Sequence, residues 1–127
     1  MEDNRDLTKK VMIVDDSRTL RHMVNTTLNG AGYATVNAVD GLEAMEKLSE
    51  GKVNLIICDI NMPNMDGLTF LREIKKRKEY KFIPVIMLTT ESQAAKRDEA
   101  REAGATAWII KPFTSEQILK AVDKLAS

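Results

Sequence analysis

Five side chains that could bind a metal ion or take part in group transfer stand where apolar runs of the sequence stop. Asp15 and Asp16 follow the first run, Asp59 closes the central one, and two later runs end at Thr89 and Lys111. If these runs are parallel strands of one sheet, the five side chains meet at its carboxyl edge, where open α/β sheets bind ligands. The functional interpretation depends on this convergence.

A magnesium site is the first chemistry that these residues suggest. Three neighbouring carboxylates repel one another, and all of them ionise only where a cation compensates their charge. Oxygen ligands without a nearby His or Cys suit Mg²⁺, which predicts a site at Asp15, Asp16 and Asp59. Taken alone, Asp15 and Asp16 are equally well explained as caps of the helix at Ser17. Asp59 at a second strand end is what favours the metal.

Phosphoryl transfer is the second chemistry. An aspartate beside a divalent ion can attack phosphorus and form an acyl phosphate. The reaction requires in-line positioning of the reactants and neutralisation of the charge on the three equatorial oxygens. Mg²⁺, Lys111 and the Thr89 hydroxyl would each bind one of these oxygens. Pro112 indicates a fixed backbone, and we predict that the Lys111–Pro112 peptide bond is cis and aims the lysine inward.

The elements that would position these residues alternate between strand-like and helix-like five times, which predicts an α/β fold with a parallel sheet covered on both faces. Strands are predicted at 11–14, 33–39, 55–59, 85–89 and 107–110, and helices at about 17–29, from 40, at 68–76, at 92–103 and from 114.

Three finer predictions concern single elements. The second strand is the most polar, which suits a sheet edge. The second helix, capped by Asp40, is predicted to bury Leu42, Met45 and Leu48. The fourth helix offers only alanines to the core, among them Ala95, Ala100 and Ala103, so we expect it to be weakly held.

Composition limits the remaining classes of function. The 127 residues carry 19 basic and 19 acidic side chains, so bulk charge does not favour nucleic-acid or membrane partners. A single cysteine, Cys58, excludes an internal disulfide framework. No apolar run could span a bilayer or act as a signal peptide, and we expect a soluble, cytoplasmic monomer with a polar tail at 1–9 and one domain at 10–127.

Four motifs match a known family. They are V-D-D after the first strand, C-D-I-N-M-P-N-M-D-G around the third, M-L-T-T-E at the fourth and A-W-I-I-K-P-F at the fifth. Over about 10–125 the chain resembles the receiver domain of bacterial two-component response regulators, and most closely the stand-alone chemotaxis regulators. The resemblance implies a doubly wound, flavodoxin-like fold with five helices and strand order 2-1-3-4-5.

The resemblance also implies a role for each residue of the site. Asp59 matches the phosphoacceptor and Lys111 the phosphate-binding lysine. Asp16, Asp59 and the backbone carbonyl of Asn61 match direct Mg²⁺ ligands. Asp15 matches an acid that acts on the ion through water.

A second group of positions matches residues that control the switch. Thr89 matches the switch hydroxyl, and Trp108 stands where most of the family has the switch aromatic Tyr or Phe. Asn61 and Glu91 match the two positions that tune self-dephosphorylation.

The function implied is that of a single-domain response regulator, which is not an enzyme beyond its own phosphorylation and dephosphorylation. A chemotaxis-type histidine kinase would phosphorylate Asp59 with Mg²⁺ present and so change the affinity for a protein partner. The leading partner is the flagellar motor switch, on the face of the fourth helix, fifth strand and fifth helix. A phosphatase is a further expected partner.

Three alternatives remain open at this point. The same site would serve a phosphorelay intermediate or a phosphate sink in another two-component pathway. An aspartyl-phosphate phosphatase is a second alternative, although such enzymes of the haloacid dehalogenase type usually carry D-x-D after the first strand, where this chain has D-D. A flavodoxin would need a loop rich in Ser, Thr and Gly, and Asp-Asp-Ser-Arg is a poor one.

Overall fold

The computed structural model describes residues 8–90 and 95–126. Strands and helices alternate there in the predicted order. Their bounds are β1 Lys10–Val14, α1 Arg18–Gly30, β2 Ala34–Ala38, α2 Gly41–Leu48, β3 Leu55–Asp59, α3 Gly67–Lys75, β4 Val85–Thr90, α4 Arg97–Ala103, β5 Ala107–Lys111 and α5 Ser115–Leu125. None of the helices in these ranges is long and apolar enough to cross a membrane.

All five strands are parallel and lie in the order β2-β1-β3-β4-β5, which confirms the α/β class and the strand order that the resemblance implied. The most polar strand, β2, lies at an edge as predicted. In register, Val14 of β1 lies beside Cys58 of β3. The residues that follow them, Asp15 and Asp59, therefore leave the sheet at the same edge.

Side-chain alternation along each strand feeds two hydrophobic clusters, one on each face of the sheet. Met12 and Val14 of β1 join the cluster that contains residues of α2, α3 and α4. Val11 and Ile13 join the cluster that contains residues of α1 and α5. Every residue of β3 is buried, as expected for a central strand covered on both sides.

The start of α2 confirms its predicted cap and corrects its predicted inner face. Asp40 accepts the N–H of Glu43, and Glu43 accepts the N–H of Val39. Leu42, however, is 53 % exposed, so its predicted burial was wrong. Leu42 precedes Leu48 by six residues, which at about 100° per residue places it on another side of the helix. Ala44 faces the core instead of Leu42 and is fully buried.

The fourth helix is held by little buried area. Within α4, Ala100 is the buried residue, and the Lys96 cap makes no side-chain hydrogen bond. Ala95 is exposed, which contradicts its predicted place on the inner face. The helix starts at Arg97, and part of its predicted start, 92–94, lies outside the described residues.

Candidate functional site

The three predicted acids and the predicted lysine meet at the carboxyl edge of the sheet. Carboxylate oxygens of Asp15, Asp16 and Asp59 lie within 4.8 Å of one another. The Nζ atom of Lys111 lies 3.1 Å from Oδ2 of Asp15 and 3.1 Å from Oδ1 of Asp59. The peptide bond between Lys111 and Pro112 is cis, as predicted. One ammonium thus faces two of the three carboxylates.

Asp15 is fully buried, and both of its carboxylate oxygens have donors. Oδ1 accepts the N–H of Ser17 at 2.8 Å, and Oδ2 accepts from Lys111. Its backbone carbonyl accepts from the Arg21 guanidinium at 2.7 Å. Asp16, in contrast, is exposed to solvent. Ser17 itself caps α1 by accepting the N–H of Leu20, so the helix does not need Asp16 as its cap.

The electrostatics of the site leave an excess of negative charge. Burial raises the pKa of the Asp59 carboxyl, and the charge of Asp15 raises it further, while Lys111 acts in the opposite direction. Burial lowers the pKa of Lys111, but the carboxylates of Asp15 and Asp59 more than offset this, and the net shift is upward. The lysine therefore stays charged at neutral pH, and one ammonium does not balance three carboxylates.

The donor set fits Mg²⁺. It offers three carboxylates within reach of one ion, and no His or Cys belongs to the acidic cluster found among the described residues. The exposed Asp16 leaves the site open to water, which Mg²⁺ retains on binding. Asp16, Asp59 and the Asn61 carbonyl could bind the ion directly, and Asp15 could act through water.

Replacement of Asp59 by Asn is expected to stabilise the metal-free protein at neutral pH. Two carboxylates about 4 Å apart repel by at least about 1 kcal/mol, which corresponds to roughly 4 °C in melting temperature for a domain of this size. Because the folded-state pKa of Asp59 is raised, its protonated form favours folding, and that stability is lost as pH rises from about 4 through the folded-state pKa.

Thermal melts of parent and Asp59→Asn between pH 4 and 8 with a chelator test whether the variant is the more stable protein at neutral pH. The two melting temperatures should converge at the acid end and separate as pH rises. Saturating Mg²⁺ should raise the melting temperature of the parent more than that of the variant. A parent that is the more stable of the two in chelator at pH 7 would contradict the charge balance described above.

The loop after β3 carries Asn61, which follows Asp59 closely in the chain, and its conformation depends on Gly67. The N–H of Gly67 donates to the carbonyl of Ile60 at 2.8 Å and closes the base of the loop. A Cβ atom at Gly67 would lie 2.1 Å from the carbonyl oxygen of Asp59. The Asp66-Gly67 pair was the available signal, because Asp66 caps α3 and only Gly allows this approach.

Thr89 and Trp108, the two predicted switch residues, lie on the neighbouring strands β4 and β5. Thr89 is fully buried, and its hydroxyl donates to the carbonyl of Thr90 at 3.1 Å. Trp108 packs against the cluster beneath α4, and its indole N–H is buried with no hydrogen-bond partner among the described residues. Glu91, predicted to tune dephosphorylation, lies outside the described residues.

Comparison with known proteins agrees with this geometry. Residues 11–123 match the family described as the response regulator receiver domain. The chain is 38 % identical to "Chemotaxis protein CheY-3" of Vibrio cholerae over 117 residues, which cover 91 % of this chain and 90 % of that protein. It is 42 % identical to "Chemotaxis protein CheY1" of Helicobacter pylori over 113 residues, which cover 87 % and 90 %.

A solved structure gives the same result for the fold. The chemotaxis protein CheY4 of Vibrio cholerae superposes with a TM-score of 0.88 at 42 % sequence identity, covering 93 % of this chain and 98 % of that one. A family match over most of the chain, relatives above 30 % identity and the acidic edge of the sheet agree with one another. The chain belongs to the response regulator receiver domain family.

Proposed function

We propose that the protein is a single-domain response regulator that a histidine kinase phosphorylates on Asp59 in the presence of Mg²⁺. Phosphorylation changes its affinity for a protein partner, with the flagellar motor switch as the leading candidate. The observation that carries the proposal is the Lys111 ammonium, 3.1 Å from both Asp15 and Asp59 at a site of three carboxylates. A structural ion pair needs only one of these acids.

In the proposed reaction, an oxygen of the Asp59 carboxylate attacks the phosphorus of a phosphohistidine. The new O–P bond replaces the P–N bond, and the departing imidazole takes up a proton from water. Lys111, already at the attacking group, binds an equatorial oxygen and loses little freedom in doing so. Asp16, Asp59 and the Asn61 carbonyl would hold Mg²⁺, which would supply neutralisation of the charge on the transferred phosphoryl group. The chain thereby catalyses only its own phosphorylation and, with water as the attacking group, its own dephosphorylation.

The proposed switch starts from the added charge. A phosphoryl group on Asp59 brings nearly two negative charges and new acceptor oxygens to a buried strand end. The buried hydroxyl of Thr89, on the neighbouring strand, is the group proposed to move toward it. Since Ala100 is the buried residue of α4, that helix can shift at low cost when β4 changes.

The proposed partner face lies beside Trp108. A groove of about 640 Å³ runs between β5 and α5, with Trp108, Ile110 and Leu125 in its wall. Ile110 is 40 % exposed, which is unusual for a large aliphatic residue in a strand of this sheet. The names of the Vibrio and Helicobacter relatives support a chemotaxis role, and the motor switch is the partner that we propose for this face.

Fluorescence of Trp108, the single tryptophan, tests the coupling between site and face. Beryllofluoride with Mg²⁺ mimics the phosphoryl group, and we expect it to change the intensity or wavelength of emission in the parent. The buried indole N–H has no partner to hold it among the described residues, so its surroundings should respond to a shift of α4.

Asp59→Asn is the matched control for this titration, because it removes the attachment point and leaves Trp108 in place. We expect no response in the variant and none in the parent without Mg²⁺. An identical response in parent and variant would refute the proposed coupling between Asp59 and Trp108.

A further inference from the structure

The loop that carries Asn61 is held at a second point, distant from its base. This β3–α3 loop, residues 60–66, follows Asp59 and supplies the backbone carbonyl proposed as a Mg²⁺ ligand. Its base is closed by the bond between Gly67 and Ile60, 2.8 Å long. Its far side contacts the start of α2, where Asp40 precedes Asn64 by 24 residues and no proposed metal ligand lies.

Asp40 makes the side-chain part of this contact. It is 6 % exposed and uses its two carboxylate oxygens for different partners. Oδ1 accepts the N–H of Glu43 at 2.8 Å and so caps α2. Oδ2 accepts from the side-chain amide of Asn64 in the loop at 2.7 Å. A cap needs only one oxygen, so the second bond is not explained by the helix.

The backbones of the two segments also meet at this point. The N–H of Gly41 donates to the carbonyl of Met65 at 3.1 Å. A Cβ atom at Gly41 would lie 2.7 Å from Cγ of Met65, so the approach depends on glycine. Asn64 has a φ of 67°, in the left-handed region that Asn adopts more readily than most residues. Glycine at position 41 and asparagine at position 64 therefore both suit this close contact.

The bond between Asp40 and Asn64 is charge-assisted. The N–H of Glu43 lowers the pKa of Asp40 most, and the amide of Asn64 lowers it further, which outweighs the effect of burial. The carboxylate is therefore the acceptor at neutral pH, and hydrogen bonds to a charged group are stronger than those between neutral groups. The free energy of such a bond can offset part of the conformational entropy that a short loop loses when it is ordered.

We propose that Asp40 and Asn64 are positioning residues for the metal site, which hold the β3–α3 loop in the conformation that presents the Asn61 carbonyl beside Asp59. The inference rests on the proposed function, because it assigns these residues to the Mg²⁺ that the function requires. Without the bond, the ion would have to order the loop on binding, and its affinity would fall. Loss of a partner that orients a metal ligand typically weakens binding at least about tenfold.

The test measures Mg²⁺ binding by calorimetry. Asn64→Gly keeps the left-handed φ and removes the amide, and Asp40→Asn keeps the cap of α2 and removes the charge. Each variant is expected to bind Mg²⁺ about tenfold more weakly than the parent. Hydrogen exchange without metal gives a second readout, since the Gly41 N–H, bonded to Met65, should exchange faster in both variants.

Glu43→Ala is the matched control for helix stability. It removes the carboxylate that accepts the Val39 N–H at 2.8 Å at the same helix start, and no bond of Glu43 to the loop is found among the described residues. Its Mg²⁺ affinity should stay within about twofold of the parent. The exchanged pair Asp40→Asn with Asn64→Asp reverses donor and acceptor and should bind more tightly than Asn64→Asp alone, in which two carboxylates face each other.

Parent-like Mg²⁺ affinity in both Asn64→Gly and Asp40→Asn would overturn this inference and leave the proposed function intact. An equal loss in Glu43→Ala would also overturn it, because the effect would then come from helix stability. A parent that neither binds Mg²⁺ nor accepts phosphate would overturn the proposed function, and this inference with it.

Discussion

The Asp59→Asn variant is expected to lose stable labelling by acetyl phosphate by at least about a thousandfold, the scale seen when an enzyme loses its nucleophile. Asp59 ends the central strand with its side chain 8 % exposed, and Lys111 lies 3.1 Å from its carboxylate. An amide at this position keeps the shape of the side chain but is a much weaker nucleophile. The variant should still fold, because it loses a negative charge from an over-charged cluster.

Labelling is measured by mass spectrometry or by mobility of the phosphorylated protein, with and without Mg²⁺. An acyl phosphate is cleaved by hydroxylamine, whereas phosphoserine is not, so this reagent identifies the bond. Asp66→Asn is the control, since Asn also caps helices well and Asp66 belongs to the neighbouring loop. Full labelling of Asp59→Asn at a site sensitive to hydroxylamine would assign the phosphoacceptor to another acid.

Much of this site could be predicted from the sequence because the signals are local. An apolar run that stops at an acid followed by turn residues predicts a buried strand with its functional side chain at the carboxyl end. The prediction is correct for Asp15, which follows β1, and for Asp59, which ends β3, and the bounds of both strands were predicted within one residue. Pro112 after Lys111 likewise predicted a cis bond that the structure contains.

Other features could not be predicted because they depend on contacts between distant segments. Periodicity does not give the strand order, and only the resemblance implied that β1 and β3 are neighbours. The exposure of Leu42 depends on which side of α2 packs against the sheet, and that side carries Ala44 and Leu48. The bond between Asp40 and Asn64 spans 24 residues and needs both loops in place.

The balance of charge at the site is a further tertiary property. Asp15 and Asp16 are adjacent in the chain, yet one is fully buried with two donors and the other is exposed. The sequence predicts that three acids gather, but the structure shows that the Lys111 ammonium is shared by Asp15 and Asp59. Removal of an acid and removal of the lysine should therefore change stability in opposite directions.

Replacement of Lys111 by Met is accordingly expected to destabilise the metal-free protein by about 2 to 3 kcal/mol. Breaking a buried ion pair by removing one partner costs about 3 to 5 kcal/mol, because the other charge is left buried and unpaired. We expect a loss below that range because the Lys111 side chain is 22 % exposed, although Asp15 is fully buried. Urea unfolding at neutral pH with a chelator gives the difference.

Two further variants separate this charge effect from loss of side-chain contacts. Lys76→Met removes an exposed partner of Glu73 and should change stability by less than about 1 kcal/mol. Asp15→Asn in the Lys111→Met background removes the carboxylate left unpaired and should recover part of the loss. If Lys111→Met were as stable as the parent without metal, the lysine would not compensate the acids. Mg²⁺ should also restore much of the stability of Lys111→Met, because the ion then supplies the positive charge that the acids have lost.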